Sequence, residues 1–107
     1  MSNAIDITDE SFDNEVLNSQ QVTVVDFWAP WCGPCRKLSP MLDEIATELG
    51  DSVKFVKINA DTNLETAKKY SVSGLPTILI FKDGEEKERL VGMMPKTSII
   101  SKIQSCL

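Results

Sequence analysis

Val22-Thr23-Val24-Val25-Asp26-Phe27-Trp28-Ala29-Pro30-Trp31-Cys32-Gly33-Pro34-Cys35 is the stretch on which the fold turns. Its first seven residues are largely β-branched or aromatic, and both alternating rows are apolar, the pattern of an inner strand covered on both faces. Beyond Pro34, apolar residues recur at Leu38, Met41, Leu42, Ile45, Ala46 and Leu49, a helical spacing that Gly50 ends. Pro40 falls inside that pattern and predicts a kink. Val53 to Ile58 reads as a further strand, and a strand, a helix and a strand of these lengths make a right-handed βαβ unit with parallel strands. Cys32 and Cys35 therefore fall where the strand passes into the helix, at the carboxyl edge on which open α/β sheets build their sites.

Outward from that unit the pattern continues. Upstream, Ile5 and Ile7 alternate with polar residues as a short first strand, and Thr8 is placed to cap a helix with Asp9 and Glu10 in its first turn and Phe12, Val16 and Leu17 on its buried side. Downstream come a shorter helix around Leu64 to Tyr70 and a strand, Thr77 to Phe81, apolar on both rows. Asp83-Gly84 is a two-residue hairpin signal that returns Lys87 to Val91 as an antiparallel edge strand, its charges in keeping with exposure. A last helix from about Thr97 is expected to bury Ile99, Ile100, Ile103 and Leu107. The prediction is an α/β fold, a central mixed five-stranded sheet flanked by four helices, in a single domain over residues 1–107.

Composition narrows the chemistry. The 107 residues carry a net charge of -5 with the basic residues scattered, so the positive stripe that a phosphate backbone requires is missing and nucleic acid is excluded as a partner. The N-terminus lacks the basic and apolar regions of a signal peptide, and no apolar run approaches a membrane span. Ser2-Asn3-Ala4 resembles the scar of an expression tag and carries no weight here. Three cysteines are too few to staple a fold, and an odd number would leave one unpaired in an oxidising compartment, so a reducing cytoplasm or a plastid stroma is expected. There is no histidine, which removes Cys/His dyads, Ser/His/Asp triads and Cys/His zinc sites together.

At the start of a helix, a three-residue spacing brings Cys32 and Cys35 to one face within disulfide reach. Unpaired backbone N–H groups and the helix dipole there favour negative charge, which lowers the Cys32 pKa and makes it the nucleophile, with Arg36 and Lys37 adding to the effect. Attack of its thiolate on a substrate disulfide gives a mixed disulfide, which Cys35 resolves. Pro34 suits a first helical turn, and Gly33 leaves the approach to Cys32 open. Two thiolates at this spacing also form half of a zinc or copper site, and a purely structural disulfide is the plainest alternative. The remaining cysteine, Cys106, lies far along a different helix, so the second half of a metal site is missing and no cofactor is expected. Asp26 stands in a strand apolar on both rows, so its carboxyl should be buried and its pKa raised, with Lys57 in the neighbouring strand moderating its charge.

The segment Phe27 to Cys35 resembles the active site of thioredoxins, and nearly the whole chain aligns with that family, in the manner of its bacterial and plastid m-type members. Asp26, Lys57, Gly74, Pro76 with Thr77, Gly84 and Gly92 fall where the family places functional or structural residues. The resemblance implies a thioredoxin fold and general reduction of client-protein disulfides by a Cys32/Cys35 dithiol, recycled by a thioredoxin reductase. It implies that Asp26 accepts a proton as Cys35 ionises, a structural Asp26–Lys57 ion pair being the bland alternative. It further implies a cis Pro76 beside the cysteines, against the trans expectation for an ordinary proline, and backbone hydrogen bonds from Leu75 to an extended client. Trp31, Gly74, Leu75, Gly92 and Met93 would ring the cysteines as an apolar contact surface, although core filling serves equally for Met93 and Met94. A redox-independent binding module using the same surface is the rival from another class. Cys106 departs from the family pattern; a buried inert thiol in a monomer is expected, against a regulatory or dimer-forming one.

Overall fold

The computed structural model describes residues 4–107, so that Ser2 and Asn3 of the suspected tag scar lie outside the described residues. Strands β1 (Ile5–Ile7), β2 (Val22–Trp28), β3 (Val53–Asn59), β4 (Thr77–Lys82) and β5 (Glu85–Val91) form one sheet in the order β1-β3-β2-β4-β5. β1 and β2 both pair parallel with β3, while β4 runs antiparallel to β2 and to β5. β2 is thus hydrogen-bonded on both edges, and both of its rows are apolar because each face packs into a core layer. Helix α1 (Gly33–Leu49) crosses from β2 to β3, α2 (Leu64–Lys69) precedes β4, and α3 (Lys96–Gln104) closes the chain. A one-turn π-helix, Asp13–Leu17, precedes β2, and a 3-10 turn, Gly50–Ser52, joins α1 to β3. Among the described residues no helix is long and apolar enough to cross a membrane.

The alternation along β2 divides the core. Val22 and Val24 face α1 and α3, packing with Leu38, Leu42, Ile45, Ile99 and Ile103. Val25 and Phe27 face the other layer, with Phe12, Val16, Ala67 and Phe81. There Phe12, Tyr70 and Phe81 meet with ring centroids 5.3 to 5.7 Å apart. α1 runs unbroken through Pro40, and Gly50 ends it at φ 60°, ψ -142°, a backbone conformation only glycine enters freely. The β4–β5 hairpin turns on Asp83 and Gly84, both at positive φ, which is the geometry that matches strand twist.

Three expectations are corrected. Thr8 does not cap a helix containing Asp9 and Glu10: Ser11 donates its N–H to the Thr8 carbonyl at 3.1 Å, closing a turn, and the helical segment begins only at Asp13. Asp9 is drawn off to α2 instead, where its carboxylate accepts the Thr66 N–H and hydroxyl at 2.9 and 2.6 Å and the Glu65 N–H at 3.3 Å. It caps a helix more than fifty residues away. At the other end of the chain, α3 stops at Gln104, so the helical register no longer points Leu107 inward; that residue is 54% exposed and Cys106 is buried in its place.

Candidate redox site

Cys32 is the N-cap of α1. Its backbone is extended, Gly33 and Pro34 occupy the first helical positions, and Cys35 donates its N–H to Cys32 Sγ at 3.2 Å. The proline has no N–H to waste there, and the glycine keeps the face open: a Cβ added at Gly33 would meet only Arg36 Nη2, at 3.9 Å. Sγ of Cys32 thus sits where an anion is favoured, among the unpaired amides and at the positive end of the helix dipole. Cys32 and Cys35 are joined as a disulfide with Cα atoms 5.3 Å apart, and each is only 4% exposed. Arg36 turns aside to the Pro30 carbonyl, 2.8 Å from Nη1.

Asp26 lies on the α1 face of β2, in the row of Val22 and Val24, and is 6% exposed. Burial raises its pKa from the ordinary 3.8 to about 7, against the opposing pull of Lys57. Asp26 and Lys57 are opposite partners in the β2–β3 register, yet the lysine makes its ion pair with Asp6, at 3.9 Å, and rests over the Trp28 ring. Oδ1 of Asp26 and Nε1 of Trp28 have no hydrogen-bond partner among the described residues. Both residues line a cavity of about 200 Å3, together with Cys35, Ser39 and Lys57. Ser39 is the member that sequence reading passed over; its position four residues after Cys35, on the same helical face, was the available signal.

The other rim of the site comes from the segment between α2 and β4. The Leu75–Pro76 peptide is cis, and Leu75 packs against Ala29, Cys32 and Cys35. Thr77 donates its hydroxyl to the Gly74 carbonyl at 2.6 Å, and Gly92 donates its N–H to the Pro76 carbonyl at 2.8 Å, so Gly74, Pro76 and Gly92 are tied together. Trp31 is 67% exposed, its indole N–H held by Asp61 at 3.3 Å. Nothing in the spacing of the sequence pointed to that aspartate. Met93 is exposed, whereas Met94 packs against the α1–α3 core. Cys106 is the free cysteine, buried at the end of α3.

A disulfide capping a helix at the carboxyl end of a central strand, with a buried carboxyl of raised pKa sharing a cavity with one of the sulfurs, defines a thiol–disulfide oxidoreductase. A sequence model of the family described as thioredoxin matches residues 3–105. The chain is similar to thioredoxin 1 of Synechococcus elongatus, 47% identical over 107 residues with both chains wholly covered. It is similar also to the thioredoxin of Rickettsia prowazekii, 46% identical with 94% of this chain and 96% of the relative covered, and to that of Pyropia yezoensis, 50% identical with 89% of each covered. The chain belongs to the thioredoxin family. Its activity is that of a protein-disulfide reductase, carried by the Cys32-Gly33-Pro34-Cys35 segment.

Proposed function

We propose that the protein is a general reductant of client-protein disulfides, acting as a monomeric single domain in the cytoplasm, with the plastid stroma as the alternative compartment, and recycled by a thioredoxin reductase. The observation that carries this reading is the Cys32 sulfur at the N-terminus of α1, bridged to Cys35 and bordered by Leu75. In the reduced protein the Cys32 thiolate attacks one sulfur of a client disulfide, and the other sulfur leaves as a thiolate. Cys35 then gives its proton to the Asp26 carboxylate through the shared cavity, which is roomy enough for water. The new thiolate attacks Cys32 Sγ, the Cys32–Cys35 disulfide forms, and the client leaves with both electrons. Ionising at about 7, Asp26 is matched to taking up and returning a proton near neutrality. Lys57 keeps that carboxyl from rising further.

Trp31, Gly33, Pro34, Gly74, Leu75, Pro76, Gly92 and Met93 form the client-contact surface in this reading. Small residues let a client backbone come close, Leu75 offers its backbone to an extended segment, and Trp31 and Met93 supply exposed apolar area. Insulin reduction, followed by turbidity and by NADPH consumption through a thioredoxin reductase, tests the proposal. Activity in both assays that is lost in Cys32→Ser is expected. Inactivity of the unaltered protein in both would leave a redox-independent binding module as the better account.

A further inference from the structure

Beside Trp31 lies a hollow of about 510 Å3, walled by Trp31, Leu64, Ala67, Val72 and Leu75 with Lys68 on its lining. It adjoins the redox site, since Leu75 also packs against the cluster that holds the cysteines and Trp31 precedes Cys32. Leu64, Ala67 and Lys68 stand at i, i+3 and i+4 on α2 and therefore share one face of that helix. Leu64 is 68% exposed, while Ala67 on the same face is buried against the core, so the leucine forms an apolar outer edge of the hollow. Lys68 is the one charged residue lining the hollow among the described residues.

Lys68 is one of five cations of this acidic chain that form no ion pair among the described residues, with Arg36, Lys37, Lys69 and Lys82. Lys54, Lys57, Lys87, Arg89, Lys96 and Lys102 each pair with a carboxylate, but among the described residues Lys68 has no ion pair. Asp61 accepts the Trp31 indole N–H. Glu65, three residues before Lys68 on α2, forms no ion pair with it among the described residues. An apolar wall with one unpaired ammonium at its end is complementary to a segment that offers an apolar side chain and a carboxylate together.

We infer that this hollow seats an extended segment of the client in which a bulky apolar side chain stands beside an Asp or Glu, and that Lys68 sets a preference for such clients. The apolar side chain lies against Trp31, Leu64 and Val72, and the carboxylate meets the Lys68 ammonium. The inference rests on the disulfide-reductase reading and adds a substrate class to it. Basic segments are disfavoured by the same charge, which is where the discrimination arises. An exposed ion pair of this kind is worth about two- to fivefold in binding, and salt screens it.

The test uses short peptides, each with one cysteine disulfide-bonded to a fluorescent reporter. A Leu is followed by Glu, Gln or Lys, and the pair is moved stepwise along both sides of the cysteine. For the unaltered protein, kcat/KM should rank Glu over Gln over Lys at one set of positions, by about two- to fivefold per step at low salt, with the gap closing at high salt. Lys68→Glu should reverse that order, and Lys68→Gln should flatten it. Because the comparison is between peptides within one variant, a general loss of activity does not obscure it. The same ranking in the unaltered protein and in Lys68→Glu at every position would overturn the inference while leaving disulfide reduction intact. Failure of the unaltered protein to reduce any peptide would overturn the reductase reading and this inference with it.

Discussion

Replacing Asp26 by Asn should make the folded protein more resistant to urea at alkaline pH, with little of that gain left at acid pH. In the folded state the carboxyl ionises at about 7, in the unfolded chain near 3.8. Between those values the folded protein holds a proton that the unfolded chain has released, so stability falls as pH rises through the window and is lowest above it. At about 1.36 kcal/mol per pH unit, the charged carboxylate opposes folding by about 4 kcal/mol above pH 7. Asn has the shape of the neutral carboxyl and cannot ionise, so its own packing and hydrogen-bonding difference is the same at every pH. The stability gap between variant and parent, both oxidised, should therefore widen by about 4 kcal/mol between about pH 4 and about pH 8.5. In urea melts followed by tryptophan fluorescence this is a relative midpoint shift on the order of 2 M, for an m-value of about 2 kcal/mol per molar. A gap that stays constant across that range would refute the argument that burial, rather than a local contact, governs this carboxyl.

Cys35→Ser should stop the reaction at the mixed disulfide, visible as a client adduct on a non-reducing gel that dithiothreitol releases, because the serine hydroxyl cannot resolve it. Asp9→Ala should cost about 1 to 2 kcal/mol in urea unfolding by uncapping α2. Burial works against the Asp9 charge, but hydrogen bonds from the Thr66 hydroxyl and the Thr66 and Glu65 amides outweigh it and lower the pKa. That contribution is complete above about pH 3.8 and is lost as pH falls through the lowered folded value, so the variant and parent should converge in acid. In the oxidised protein Cys106 should react slowly with a thiol reagent, one thiol per chain appearing only on denaturation, and the protein should run as a monomer without reductant. Rapid labelling or a disulfide-linked dimer would show that the C-terminal turn is open.

The parts of the fold that were legible beforehand are those set by short-range pattern. Val22 to Trp28 had to be central because neither row could face water, Gly50 and Asp83-Gly84 marked their turns through positive φ, and Cys32 fell at a helix start because Pro34 belongs there. The Cys32–Cys35 pairing and the burial of Asp26 followed from the same local reading, the latter because a lone carboxylate in an apolar strand has nowhere else to go. What escaped was contact between distant segments. Asp9 reads as the first turn of its own helix and acts as the cap of another, since a carboxylate serves whichever bare amides the tertiary fold brings near. Asp61 on Trp31 and the Lys57–Asp6 pair are likewise settled by packing across elements that no spacing encodes. Leu107 missed the core because α3 ends at Gln104, and helix ends are the least regular part of any apolar period.

The position of β2 between β3 and β4 bears on how the protein can be used again and again. An electron carrier docks with two unlike surfaces in every cycle, and any loosening of its mount would have to be repaired before the next encounter. Val24, Val25 and Phe27 are wholly enclosed, and the strand is bonded along both edges, so opening it approaches global unfolding. Each partner therefore meets the sulfurs already aligned. In the proposed cycle little ordering would accompany either encounter, so the chain could pass between reductase and client without the reorganisation that would otherwise weaken and slow each handover.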